Sequence, residues 1–308
     1  MIGFLLRRGG QALVAAFGVV TLVFFIQRLT GDPTALLLPE TATKGDIEAM
    51  RVSLGLDRAL WVQYLDFLWD MARFDLGRSF VQNAPVWTIL ASRVPYTLQL
   101  AGGALLVALA IGLPLGLLMA LNRGKALSRW VMGLVLACQS MPTFWSGIMM
   151  ILVFGVWLRW LPPSGTGGVA NLVMPSIALG LLSLATYARI TRSAVVDELG
   201  RDYVRSARAR GVGTARLVRR HLFRNSLIPI ISITALELSQ LLAGAVIVET
   251  VFAWPGLGLL TVQSIAARDF LVVQAVVLLG AFVTIGANLA ADILYSVVDP
   301  RVRLSGRA

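Results

Sequence analysis

Six apolar stretches dominate the chain, and each is long enough to cross roughly 30 Å of hydrocarbon, which takes about 20 helical residues. They run over 10–29, 97–121, 131–157, 172–191, 229–251 and 272–297. A water-surrounded core cannot hide so much apolar surface in a chain that is 57% hydrophobic and 14% charged. In lipid every backbone N–H and C=O must be bonded internally, so stretches of this length read as membrane-spanning helices. The expected fold is an all-α integral membrane protein with six transmembrane helices. The first stretch has the basic flank of a signal peptide, Arg7 and Arg8, but its apolar run is too long. Phe24, Phe25, Ile26, Gln27 and Arg28 also form no small-residue cleavage site, so the helix is expected to be retained.

Orientation follows from the distribution of Lys and Arg between alternate loops. One side holds Arg7, Arg8, Arg123, Lys125, Arg129, the arginines from Arg189 to Arg224, and Arg301, Arg303 and Arg307. That side carries eighteen basic residues and the other nine, and the poorer side is neutralised by acids such as Asp57, Asp66, Asp70 and Asp75. Both termini are therefore expected in the cytoplasm. The net charge of +11 reads first as topology and not as affinity for nucleic acid. Trp87, Trp157, Trp160 and Trp254 fall near the expected outer boundaries, where aromatic belts form.

This divides the chain into an N-terminal transmembrane helix (1–29), an outer segment with amphipathic helices (30–93), a five-helix core (94–297) and a cytoplasmic tail (298–308). In the outer segment Trp61, Tyr64, Leu65, Leu68 and Met71 share one helical face, with Gln63, Asp66 and Asp70 opposite. Inside the core lies a large inner loop, 193–228, and a turn-rich outer segment follows the fifth stretch.

Catalytic signatures are missing. The chain has no phosphate-binding G-x-x-x-x-G-K-[ST] loop, no H-E-x-x-H and no G-x-S-x-G. One Cys (Cys138) and one His (His221) provide neither a metal cluster nor a Cys–His or Ser–His–Asp constellation. No catalytic residue, metal or resident cofactor is expected. Uphill movement of a solute would then draw on a bound partner or on coupled ions.

The inner loop is the most distinctive polar segment. Ala and Arg favour helix over 201–210, Gly211 suits a left-handed position just past a helix end, and Thr214 can cap a second short helix. Leu217, Val218, Leu222 and Phe223 give that helix an apolar face, while Arg216, Arg219, Arg220 and Arg224 stay polar. Such a loop can rest on anionic lipid, where each basic residue gains about 1 kcal/mol. It can also present a compact helix to a groove on a protein partner. The glycine punctuation at Gly211 and Gly213 favours the second use.

The run from Asp202 to Gly211, followed by Arg220 to Pro229, resembles the coupling loop of the first membrane subunit of bacterial dipeptide/oligopeptide/nickel-type ABC importers. It departs from the generic E-A-A-x-x-x-G form, since Arg205 and Ser206 precede Ala207. Gly31-Asp32-Pro33, Leu54-Gly55-Leu56-Asp57, Asp75-Leu76-Gly77 and Pro85-Val86 are similar to the outer region of that first subunit. Glu249 to Leu260, with Arg268 and Asp269, is similar to the outer turn after the fifth helix, with Leu271 where Pro is usual. The likeness covers nearly the whole chain.

The resemblance implies a type I ABC importer permease fold in the bacterial inner membrane. It implies a homologous second permease, two cytosolic ATPase subunits that hold ATP and Mg²⁺, and an extracytoplasmic binding protein that delivers a peptide or related solute. Arg205, Ser206, Ala207, Gly211, Gly213, Arg216, Arg220, His221 and Arg224 would dock the ATPase. Glu249, Trp254, Pro255, Gly256, Gly258, Arg268 and Asp269 would form the turn facing the binding protein, although a bare interhelical turn needs the same residue types.

Glu237, Gln240, Asn288 and Asp292 fall within apolar stretches, where polar groups are costly unless they face protein or water. They are candidates to line a translocation pathway, with Asp292 near the inner mouth. Interhelical hydrogen bonding is the other use open to them. The competing function is a stand-alone ion-coupled transporter or channel. Against it, no inverted repeat of interrupted helices is visible.

Overall fold

The computed structural model describes residues 2–29, 43–53, 55–79, 81–218 and 223–298. Among these residues the fold is helical, with one isolated antiparallel bridge between Arg78 and Pro85. The helices are α1 (Ile2–Leu29), α2 (Lys44–Ser53), α3 (Leu60–Ala72), α4 (Val86–Leu121), α5 (Ala126–Ser140) and α6 (Thr143–Met150). They continue with α7 (Val169–Leu199), α8 (Asp202–Ala209), α9 (Thr214–Leu217), α10 (Phe223–Val251), α11 (Leu257–Ala266) and α12 (Phe270–Val298). Five of them (α1, α4, α7, α10 and α12) carry apolar windows of membrane-crossing length, and α5 with α6 makes six if the pair crosses as one span.

That pair covers the span expected over 131–157, and its halves meet at a bend of 98°. The cause is Pro142. Proline has no N–H to donate, and it drives the preceding residue out of the helical region. Met141 accordingly sits at φ −75, ψ 131, and α6 starts afresh after Pro142. Beyond Met150 the helix widens into π turns over Ile151–Trp157. There Leu158 N–H donates to Val153 O at 2.9 Å, five residues back.

The chain folds into two compact units, each assembled from separate stretches of sequence. One contains Ile2–Pro95 and Gly256–Gly286. Its main core is Val86, Ile89, Leu90, Leu260, Val272 and Ala275. Burial of the first three explains why α4 begins at Val86, eleven residues before its apolar stretch. In the same unit α1 packs on α3, with the Phe24 ring 5.2 Å from Tyr64 and 5.5 Å from Phe67. A capping box opens α2: Thr43 Oγ1 donates to Asp46 Oδ2 at 2.7 Å, and Asp46 N–H returns to Thr43 Oγ1. These bonds from Thr43 hold the Asp46 carboxyl below its ordinary value.

The other unit contains Tyr96–Pro255 and the end of α12 from Ala287. Leu100, Ala104, Met174, Ala178, Leu179, Leu241, Ala245, Val248, Phe252 and Trp254 form its largest core. Small residues let α4 and α7 approach closely, as membrane helices do. A Cβ on Gly116 would lie 2.6 Å from Ala188 O, and one on Gly180 would lie 2.7 Å from Ala104 O. These distances leave no room for a side chain.

Candidate functional site

The arginine loop is a helical hairpin with two unlike sides. Val204, Ala207 and Leu217 are buried and pack with Leu199, Tyr203, Val212 and Val218. The turn closes as a Schellman motif. Arg210 ends α8, Gly211 takes φ +74, Gly211 N–H donates to Arg208 O at 2.9 Å, and Val212 N–H donates to Ala207 O at 3.1 Å. Nothing lies within 4 Å of a Cβ at Gly211, so backbone handedness alone selects glycine. The second helix starts at Thr214 itself, and Phe223 belongs to α10 and not to the hairpin.

The hairpin is fastened to the end of α7 by Glu198, which is mostly buried. Glu198 accepts from Tyr203 Oη at 2.5 Å and pairs with Arg201 Nε at 2.8 Å. Neither Glu198 nor Tyr203 stood out in the sequence. A Glu three residues before Arg and five before Tyr, across a helix end, is the local signal that could have found them. On the opposite side Arg205, Ser206, Arg208, Arg210, Gly211, Gly213 and Arg216 are exposed. Arg205 is 78% exposed and meets Asp202 only at 3.8 Å, which leaves its guanidinium available to a partner. Arg220 and His221 lie outside the described residues, as does the side chain of Arg224.

The turn after α10 begins with buried groups. Glu249 is fully buried and accepts from Thr97 Oγ1 at 2.7 Å. Trp254 is 3% exposed, its Nε1 donates to Tyr96 O at 2.8 Å, and its ring meets Tyr96 edge-on. This corrects the expectation that Trp254 belongs to a lipid-facing belt, since its polar edge is satisfied inside the protein. Trp87, Trp157 and Trp160 are exposed. Pro255 is partly buried.

The remainder of the turn belongs to the unit built on α11 and α12. Gly256 caps α11, Gly258 is buried, and exposed Arg268 takes φ +58. Asp269 is buried and accepts from the Ser79 hydroxyl, which itself accepts from Gln82 N–H at 2.9 Å. Ser79 sits in the short hairpin where Val86 N–H meets Gly77 O at 3.0 Å. Thr97 and Ser79 carry no sequence signal as partners, because they are 152 and 190 residues from the carboxylates they serve.

The pathway candidates differ in burial. Glu237 is 3% exposed on α10, one turn from Thr234, which accepts from Tyr187 Oη at 3.2 Å. Gln240 and Asn288 are exposed, and the side chain of Asp292 lies outside the described residues.

With this geometry in view, the matches to known proteins are consistent along the chain. Residues 112–304 match the model of the binding-protein-dependent transport system inner membrane component, and residues 1–101 match that of its N-terminal region. The dipeptide transport system permease protein DppB of Escherichia coli K12 is 36% identical, over 98% of this chain and 99% of its own. The di/tripeptide transport system permease protein DppB of Pseudomonas aeruginosa is 39% identical over the same shares. Among solved structures, the inward-facing MetNI methionine ABC transporter aligns with TM-score 0.59 and 23% identity, over 69% of this chain and 97% of that one. At that identity the likeness concerns the fold.

Proposed function

The chain belongs to the family of binding-protein-dependent transport system inner membrane components, and from that premise we propose that it forms half of a passage for peptides. It is a multi-pass transport subunit of an ABC importer and not an enzyme. Peptides are the proposed cargo because the E. coli and P. aeruginosa relatives carry that description. A homologous second permease supplies the other half, and a binding protein delivers solute at the turn from Glu249 to Asp269. Glu237, Gln240, Asn288 and Asp292 are the proposed polar positions along the pathway.

The observation that carries this reading is the two-sided hairpin of α8 and α9. Its apolar side and Glu198 tie it to the rest of the chain, and its arginine side is displayed. A rigid short helix held in this way transmits a push or pull from whatever grips it. The proposed grip is a groove on a cytosolic ATPase subunit that holds ATP and Mg²⁺, which orients the hairpin, both termini and the basic loops toward the cytoplasm. Two such ATPases draw together on binding ATP and switch the passage from inward to outward facing. Solute influences that switch only through its different affinity for the two states.

Reconstituted vesicles test the reading. With second permease, binding protein and ATPases present, a labelled dipeptide accumulates only when ATP is supplied. Accumulation without the ATPase subunits overturns the proposal and favours a stand-alone transporter.

A further inference from the structure

We propose that α3 is an interfacial helix whose Trp61, Leu65 and Trp69 face rests on lipid at the membrane–water boundary. The proposal requires only that α1 crosses the membrane, so its failure would leave the transport reading untouched.

The first observation is depth. α3 is tied to a known level of α1: Thr21 Oγ1 and Tyr64 Oη are 2.7 Å apart, and Phe24, 1% exposed, packs between the rings of Tyr64 and Phe67. The apolar window of α1 runs over Arg7–Ile26. At about 1.5 Å per residue, Thr21 lies about 8 Å inside the end of that window. Amphipathic helices in the plane of a bilayer sit about 5–10 Å into the headgroup and acyl boundary. The two depths agree.

The second observation is the division of the α3 surface into three sectors. Successive residues are about 100° apart around a helix. Gln63, Tyr64 and Phe67 turn inward, and Gln63 Nε2 donates to Arg58 O at 2.7 Å and Leu56 O at 3.2 Å. This splits the two faces expected from hydropathy: Gln63 is buried while Asp66 and Asp70 beside it are exposed, and Trp61 and Leu65 are exposed while Tyr64 is half-buried. Asp66 and Asp70 form an acidic edge. Trp61, Leu65 and Trp69 make the third sector and are 68%, 55% and 59% exposed. Two indoles and a leucine left to water would be costly, whereas Trp is the residue that membrane boundaries favour. The Arg73 guanidinium stands 4.3 Å from the Trp69 ring, an arrangement that lets a cation reach headgroup phosphate from an apolar stripe.

The third observation is continuity. Phe25 stacks on Tyr64, and Leu22, Phe25 and Ile26 at the same level of α1 are exposed. The apolar surface of a membrane-crossing helix therefore runs on to α3 without a polar break. Lipid that covers α1 is the occupant this surface fits.

The test uses the full chain with Cys138→Ser, in bilayer discs of phosphatidylethanolamine and phosphatidylglycerol, alone and within the assembled transporter. Nitroxide labels are placed through Leu65→Cys, Trp69→Cys, Asp66→Cys and Asp70→Cys. Collision with oxygen, which concentrates in lipid, is compared with collision with a water-soluble nickel chelate. The expected oxygen-to-nickel ratio is several-fold higher at 65 and 69 than at 66 and 70. High nickel access at all four positions overturns the proposal. So does closure of 65 and 69 to both reagents, alone or on assembly, because the stripe is then a protein interface. Tryptophan emission gives a label-free check: lipids brominated near the headgroup quench the parent chain, and the double variant Trp61→Phe, Trp69→Phe loses part of that quenching. Equal quenching in both proteins also overturns the proposal.

Discussion

Acidic and basic groups are treated in opposite ways at two places in this chain. In the hairpin of α8 and α9, Arg205, Arg208, Arg210 and Arg216 are held out in water, and the weak pair Arg205–Asp202 constrains little. Where α4 meets the end of α10, Glu249 is fully buried and matched by the Thr97 hydroxyl. Exposed ion pairs contribute about 0–1 kcal/mol, whereas a buried carboxylate that loses its donors costs several times that. Buried polar groups with fixed partners hold the fold, and the exposed arginines are left for a partner.

The largest loss is expected from Glu249→Val, about 3 kcal/mol, because it removes the acceptor of a buried hydroxyl from inside the fold. Thermal unfolding of the purified subunit measures it. Glu249→Gln keeps an acceptor and should lose clearly less. Equal losses in the two variants would show that the acceptor geometry is not what matters.

Next comes Gly211→Val. A β-branched residue at φ +74 costs about 1–2 kcal/mol or more from backbone handedness, since the surrounding space is open. The chain should still insert, while uptake and stimulation of the ATPase both fall. Normal values for both would count against the hairpin geometry as the transmitting element.

Arg205→Ala with Arg208→Ala sharpens the contrast. Stability should change by less than about 0.5 kcal/mol, as at surface sites without fixed partners, yet ATP-driven uptake should drop severalfold. A melting shift as large as that of Glu249→Val would erase the proposed division of labour.

The smallest effect concerns Asp70 on α3. Burial of its carboxyl, together with the charges of Asp75 and Asp66, pushes its proton affinity above the ordinary carboxylate value. A raised value in the fold means that ionised Asp70 is a slight penalty, which disappears as pH falls through that value. Solvent screening at this exposed site limits the gain from Asp70→Asn to a few tenths of a kcal/mol at neutral pH. Melting curves of the two proteins should converge in acid; a constant difference would point to packing instead of charge.

Much of this molecule was legible from its residues alone. Hydropathy summed over 20 residues is insensitive to neighbours, so the spanning stretches emerged without any tertiary information. The hairpin closure was legible for a similar reason: α8, Gly211 and Val212 bond to residues at most five positions away. Pro142 is a local cause of a helix break, whereas the 98° angle between the two halves is set by packing.

Other features depend on how helices are rotated and set in register, which no local pattern encodes. Trp254 has the position of a belt residue in the sequence, but its indole N–H donates to the Tyr96 carbonyl inside the fold. On α3, Gln63 turned inward to find backbone acceptors and left Trp61 and Leu65 outside. Glu249 found Thr97, and Asp269 found Ser79, across most of the chain's length. The residues alone place this chain in lipid and locate the arginine hairpin that interrupts it, because transfer energies and turn chemistry act over short distances. Which polar groups find partners inside depends on packing, because a buried group bonds with whatever is brought within about 3 Å of it.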